Sequence, residues 1–219
     1  MVKKSGNSLL QIGVVLCCAL MLTACSSTYY SAMEKVGIHK RDIMVDRVEG
    51  ARDSQAEAQE QFKSALEQFD SVVNLQETDL KKAYTSLSNE YDKSESAATK
   101  VSDRIASVEA VADDLFDEWE DELEEYQSKE KRAYSKGQLR STKSRYKEML
   151  ASMHQAEASM GPVLRIFKDN VLFLKHNLNA QAIGSLQGEF SSLKGEIDSL
   201  IKKMNIAIES SNKFIADIR

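Results

Sequence analysis

The stretch "MVDRVEGARDSQAEAQEQFKSALEQFDSVV", residues 44–73, places its apolar side chains in alternating steps of four and three. Met44, Val48, Ala51, Gln55, Ala58, Phe62, Ala65, Phe69 and Val72 fall in one register, and Val45, Leu66 and Val73 widen it. Spacing of this kind, kept up for about four heptads, turns one stripe of a helix toward a core and leaves the remaining faces to water. A first helix over 31–75 is predicted, on the order of 68 Å long at 1.5 Å per residue.

The same period continues on both sides of a short break. Thr78 or Asp79 is suited to cap a second helix, in which Leu80, Tyr84, Leu87, Tyr91, Ala98, Val101, Ile105, Val108, Ala112, Leu115 and Trp119 share one register. So short a connection places the two helices side by side and antiparallel. The register falters around Gly137, which reads as a turn or a kink, and resumes through Leu139, Tyr146, Met149, Met153, Ala156 and Met160. Gly161-Pro162 predicts a helix boundary, glycine closing one helix and proline opening the next. Beyond it Leu164, Phe167, Val171, Leu174 and Leu178 form one register and Phe190, Leu193, Ile197, Leu200, Met204, Ala207, Phe214 and Ile218 another; the phase slip between them reads as a stutter or bend. With one proline in 219 residues and few glycines, strand and turn punctuation is nearly absent. The expected fold is all-α, an elongated antiparallel bundle of three or four long helices with coiled-coil-like heptad packing.

The N-terminus has a different composition. Lys3 and Lys4 precede the apolar run Ile12–Leu22, which falls within the length of a secretory signal core and short of the roughly 20 residues that span a bilayer. The run ends in Leu22-Thr23-Ala24-Cys25, which resembles the lipobox of bacterial lipoprotein precursors. The resemblance implies that residues 1–24 are a removed signal peptide, that Cys25 carries the lipid, and that residues 25–30 are a short tether to a bundle domain of 31–219. It also implies effectively permanent anchoring, since several acyl chains exceed the two-signal threshold for stable attachment. Ser26, where such lipoproteins carry aspartate for retention at the inner membrane, implies the outer membrane, with the domain facing the periplasm. The stretch "YYSAMEKVGIHKRDIMVDRVEGARDSQAEAQEQF", residues 29–62, resembles a family of small bacterial lipoproteins known only as a domain of unknown function. That family implies no activity and no site residues. The chain ends Asp217-Ile218-Arg219, without the terminal lysine by which the major helical lipoprotein is linked to peptidoglycan, so that covalent link is not expected.

Loss of Lys3 and Lys4 takes the formal charge from −5 to −7. That sign disfavours nucleic acid as a partner. Of the three cysteines, Cys17 and Cys18 fall in the removed segment and Cys25 is used by lipid, so no disulfide is expected.

Charge is segregated. "DDLFDEWEDELEE", residues 113–125, holds nine carboxylates in thirteen positions, and Lys129, Lys131, Arg132, Lys136, Arg140, Lys143, Arg145 and Lys147 follow at once. Like charges four apart on a helix oppose it by a few tenths of a kcal/mol per pair. The two blocks either pair within the bundle, pair between copies, meet a partner, or remain solvated. Asp113, Asp117, Glu118, Asp121, Glu125, Lys136, Arg140, Lys143 and Lys147 are the candidate interaction surface. The looped spacing of a tight calcium site is missing. His39, His154 and His176 are scattered and show neither di-iron nor H-E-x-x-H spacing, so they read as surface or core-edge residues. Trp119, Met149, Met153 and Met160 fall in core registers. "GSLQG", residues 184–188, is not a nucleophile elbow. No cofactor is expected. The function predicted is non-enzymatic: a structural or interaction protein anchored to membrane by its lipid, with a protein partner or self-association through helical surfaces. The alternative is a regulatory module whose acidic segment takes divalent cations or a basic partner.

Overall fold

The computed structural model describes residues 39–74, 80–177 and 180–219. Four helices follow one another: α1 Lys40–Val73, α2 Leu80–Glu125, α3 Lys129–His176 and α4 Ala180–Ile218. The described residues contain no strand. The proposed signal segment, Cys25, the tether, and the expected helix start at 31–38 lie outside the described residues, as do Thr78 and Asp79.

The chain divides into two compact units, Met1–Ile43 and Met44–Arg219. Of the first, the described part opens α1, where the backbone N–H of His39 donates to the Asp42 carboxylate at 3.2 Å. A carboxylate in that position satisfies an orphan donor and favours the positive end of the helix dipole.

The second unit is an antiparallel bundle in up-down-up-down order. Gln61 donates to Glu90 at 2.8 Å, which sets α1 against α2. His154 and Glu109, 3.0 Å apart, join α3 to α2. Tyr146 and Phe214, with ring centroids 6.3 Å apart, join α3 to α4. The circle closes between α4 and α1, where Gln59 donates to Asn205 at 2.8 Å and Arg52 to Asn212 at 3.1 Å.

All nine register positions read from residues 44–72 are buried. Ala58 and Ala65 alternate there with Phe62 and Phe69, and a small residue beside a large one lets neighbouring helices close around the ring. Gln55 lies in this stripe, fully buried, and neither its amide nitrogen nor its oxygen has a hydrogen-bond partner among the described residues. One aromatic layer draws a ring from each helix. Phe69 of α1 meets Phe167 of α3 edge-on at 6.2 Å and stacks on Phe190 of α4 at 6.2 Å, while Tyr91 of α2 meets Phe167 at 6.1 Å.

Three sequence expectations are corrected. Gly161-Pro162 is not a boundary, since both residues lie inside α3. A proline within a helix costs about 3 kcal/mol through its lost N–H and ring clash. Met160, Val163 and Phe167 beside it are buried, and each contributes about 1.5–3 kcal/mol, so their burial outweighs the break. Of the two readings of Gly137, the turn is excluded, since Gly137 sits within α3 and the turn lies earlier, at residues 126–128. The phase slip between Leu178 and Phe190 is a helix end rather than a bend. The Asn177 N–H donates to the Leu174 carbonyl at 3.3 Å, its side-chain amide donates to the Phe173 carbonyl at 2.9 Å, and α4 begins at Ala180.

Candidate interaction surface

The α2–α3 hairpin carries every candidate surface residue named from the sequence. Its turn is set locally by Ser128, whose extended backbone (φ −83°, ψ 118°) and side-chain oxygen, accepting from the Lys131 N–H at 3.3 Å, form the N-cap of α3. Glu130 follows in the first turn, at the favourable end of the dipole. The acidic block, by contrast, occupies the C-terminal end of α2, where negative charge opposes the dipole and no basic residue lies in the last turn.

Part of the opposing charge is neutralised across the hairpin. Glu120 pairs with Lys143 at 2.6 Å and Glu124 pairs with Arg132. The Lys143 ammonium also lies 5.3 Å from the centre of the Phe116 ring, held between a carboxylate and an aromatic face. Glu120, Glu124 and Arg132 are thus the partners that the candidate set lacked; the signal available for them was the reversal of charge sign across residues 125–129. Asp113, Asp117, Asp121, Glu125, Lys136, Arg140 and Lys147 are exposed and form no ion pair among the described residues. Glu118 is half-buried.

Helical spacing separates two faces. At about 100° per residue, Asp113, Asp117, Asp121 and Glu125 fall on the half of α2 opposite Trp119 and Tyr126. On α3, Lys136, Arg140, Lys143 and Lys147 fall on the half opposite Tyr134. The hairpin therefore has a charged side and an aromatic side.

The aromatic side corrects another expectation. Trp119 is half-buried, not core, and its indole N–H donates to the Ser135 hydroxyl at 2.8 Å across the hairpin. Around it Tyr126, Tyr134, Lys131 and Gln138 line an open groove of about 460 Å³. Tyr126 is 40% exposed and Tyr134 71%, whereas Phe62, Phe69 and Phe167 are fully buried. Trp119 continues the apolar register of α2 yet is half-buried, and periodicity along one helix does not show which faces its neighbours leave open.

Further along the hairpin, His154 bridges two carboxylates. Its Nδ1 lies 2.8 Å from Glu157 and its Nε2 3.0 Å from Glu109. The hydrogen bond to Glu157 raises its pKa above the ordinary histidine value, with help from Glu109 and against a smaller lowering by burial. Deeper in, burial first and then Glu109 and Asp113 push the Tyr146 phenol far upward, so it stays neutral. Among the described residues no group of three or more His, Cys, Asp or Glu side chains is arranged to hold a metal ion. No described helix is long and apolar enough to cross a membrane.

A family model described as a protein of unknown function (DUF2959) matches residues 29–218, and the chain belongs to that family. No curated protein and no solved structure matches it.

Proposed function

We propose that this member of the DUF2959 family is a non-enzymatic envelope lipoprotein, held in the outer membrane by lipid on Cys25, with its helical bundle facing the periplasm as an interaction scaffold. The observation that carries the reading is Leu22-Thr23-Ala24-Cys25 at the end of an apolar run too short to span a bilayer. The bundle adds support of its own kind. Its interior is filled by apolar side chains, and its conspicuous surface feature is the charged side of the α2–α3 hairpin, where carboxylates and bases stand in solvent on a rigid support. Charge displayed in that way steers encounter with a partner of complementary pattern and fixes register more than it adds affinity. A protein partner or a second copy fits this chemistry; nucleic acid does not fit the net charge.

Mass spectrometry of the protein extracted from cells tests the anchor. Residues 1–24 should be missing and Cys25 should carry acyl mass, and an unmodified Cys25 would refute the lipoprotein reading. Crosslinking in intact cells from positions along 113–147 tests the scaffold. A specific adduct, lost when Lys136, Arg140 and Lys147 are reversed in sign, is expected.

A further inference from the structure

We propose that the charged side of the α2–α3 hairpin docks on the same side of a second copy of this chain, across a two-fold axis that runs along the helices and lays each α2 over the other copy's α3. The inference rests on the scaffold reading above and names its partner, and three observations lead to it.

The first is what the hairpin leaves unpaired. Glu120 and Glu124 take Lys143 and Arg132 across the seam between the helices. The remaining acids of the candidate surface stay exposed, and among the described residues they form no ion pair, although bases of the opposite sign stand exposed and unpaired on the neighbouring helix.

The second is height. The rings of Phe116 and Tyr146, with centroids 5.3 Å apart, set those two residues about level across the hairpin. At equal rise along the two helices, Asp113 is then level with Met149, Asp121 with Ser141 and Glu125 with Gly137. A base lies within two positions of each, about 3 Å or less along the axis: Lys147, Arg140 and Lys136.

This match of heights decides how two copies meet. A two-fold axis along the helices preserves height, so Asp113, Asp121 and Glu125 come opposite Lys147, Arg140 and Lys136 of the second copy, and the same pairs recur in the other direction. An axis across the helices would lay α2 on α2 and carboxylate against carboxylate, which like-charge repulsion opposes. The surface is complementary to itself in the first arrangement only.

The third is Gly137. It lies in mid-helix, exposed, about 60° round α3 from Arg140, and a Cβ built on it would meet nothing within 4 Å. Glycine weakens a helix interior relative to alanine, and no described neighbour requires it there. A second helix passing close over that point supplies the reason, since glycine admits another backbone. Exposed ion pairs are individually weak and screened by salt, so the dimer is reversible and salt-sensitive.

Sedimentation equilibrium of the protein extracted from cells, in a detergent matched in density to the solvent, reads the mass of the polypeptide assembly. At roughly 0.1 mM protein, where a micromolar Kd gives mostly dimer, the mass should be about twice that of one chain in about 0.05 M salt and fall to one chain in about 0.5 M. Asp113→Lys with Asp121→Lys and Glu125→Lys makes both rows basic; Lys136→Glu with Arg140→Glu and Lys147→Glu makes both acidic. Each variant alone should give the single-chain mass at low salt, and an equimolar mixture should recover the doubled mass, which also shows that both are folded. Gly137→Leu, a better helix former, should keep the fold and raise the dimer Kd about tenfold. A single-chain mass for the native protein at low salt would overturn the proposal, and so would a dimer that survives in either reversed variant alone or an unchanged Kd for Gly137→Leu. A single-chain mass together with capture of a different protein by the in-cell crosslinks from 113–147 would refute the second copy and leave the scaffold reading standing. A single-chain mass with no adduct of any kind would remove both.

Discussion

Phe69, Tyr91, Phe167 and Phe190 close on one another across all four helices, whereas Trp119, Tyr126 and Tyr134 group at the turn of a two-helix hairpin and keep much of their surface in solvent. Tyr134 and Phe167 belong to the same helix, 33 residues apart, about 50 Å along its axis. One helix thus carries a ring whose environment is protein and a ring whose environment is water. Residue type does not distinguish the two sites; the number of neighbouring helices does. Where α1 and α4 complete the ring of neighbours, an aromatic side chain stabilises the fold. At the turn of the α2–α3 hairpin, among the described residues, it keeps much of its surface in solvent.

Truncating one ring at each site gives the largest contrast. Phe167→Ala should lower the stability by about 3–5 kcal/mol, the range for a fully buried aromatic. Tyr134→Ala should change it by less than about 0.5 kcal/mol. Urea midpoints at unchanged slope measure both. Similar losses at the two positions would remove the distinction.

Gln55 sharpens the comparison from within the core. Its buried amide has no partner among the described residues, and leaving such a group unpaired costs about 1–3 kcal/mol. Gln55→Leu should therefore raise the stability by about 1–2 kcal/mol, and a lowered urea midpoint would show that the amide is satisfied in solution.

At the hairpin, Ser135→Ala removes the acceptor for the Trp119 indole, 2.8 Å away. The loss should be about 1 kcal/mol, with a change in Trp119 emission that Tyr134→Ala does not produce. An unaltered spectrum would show that the indole is not held by Ser135.

His154 supplies the smallest effect and a direction. A histidine whose folded pKa lies above its unfolded value contributes stability that is complete below the unfolded pKa, about 6.5, and is lost as pH rises through the folded pKa. The side chain is 44% exposed, so solvent screening limits the contribution to under about 1 kcal/mol. The stability gap between the native chain and His154→Gln should narrow as pH is raised from 6 to 9, judged by paired urea titrations. A gap that widened instead would reverse the assignment.

Sequence periodicity was a good guide wherever four helices surround a stripe. Every register position from Met44 to Val72 is buried, and so are Leu193, Ile197, Leu200, Met204 and Ala207. It was a poor guide to breaks, because local signals compete with packing. Pro162 stays helical because buried neighbours on both sides hold α3 together, and Gly137 is only a weak helix former. The actual turn has one modest mark, Ser128 ahead of Lys129-Glu130-Lys131, together with the change of charge sign. The charged residues of the hairpin were legible as a cluster. Their division into cross-paired and solvent-facing sets depends on which helix lies opposite, and that information is not local.

The turn at residues 126–128 has a consequence for how the molecule assembles. Three residues join helices of 46 and 48, so the hairpin closes with little loss of chain entropy. Contacts between α1 and α4 link residues as distant as Glu49 and Arg219, and their closure requires most of the chain to be in place. The hairpin should be the early and persistent unit and the α1–α4 seam the late one. In native-state hydrogen exchange, the amides of α1 should then open before those of α2 and α3 at the same depth. The charged candidate surface of the hairpin would be built on the part of the bundle that forms first and opens last.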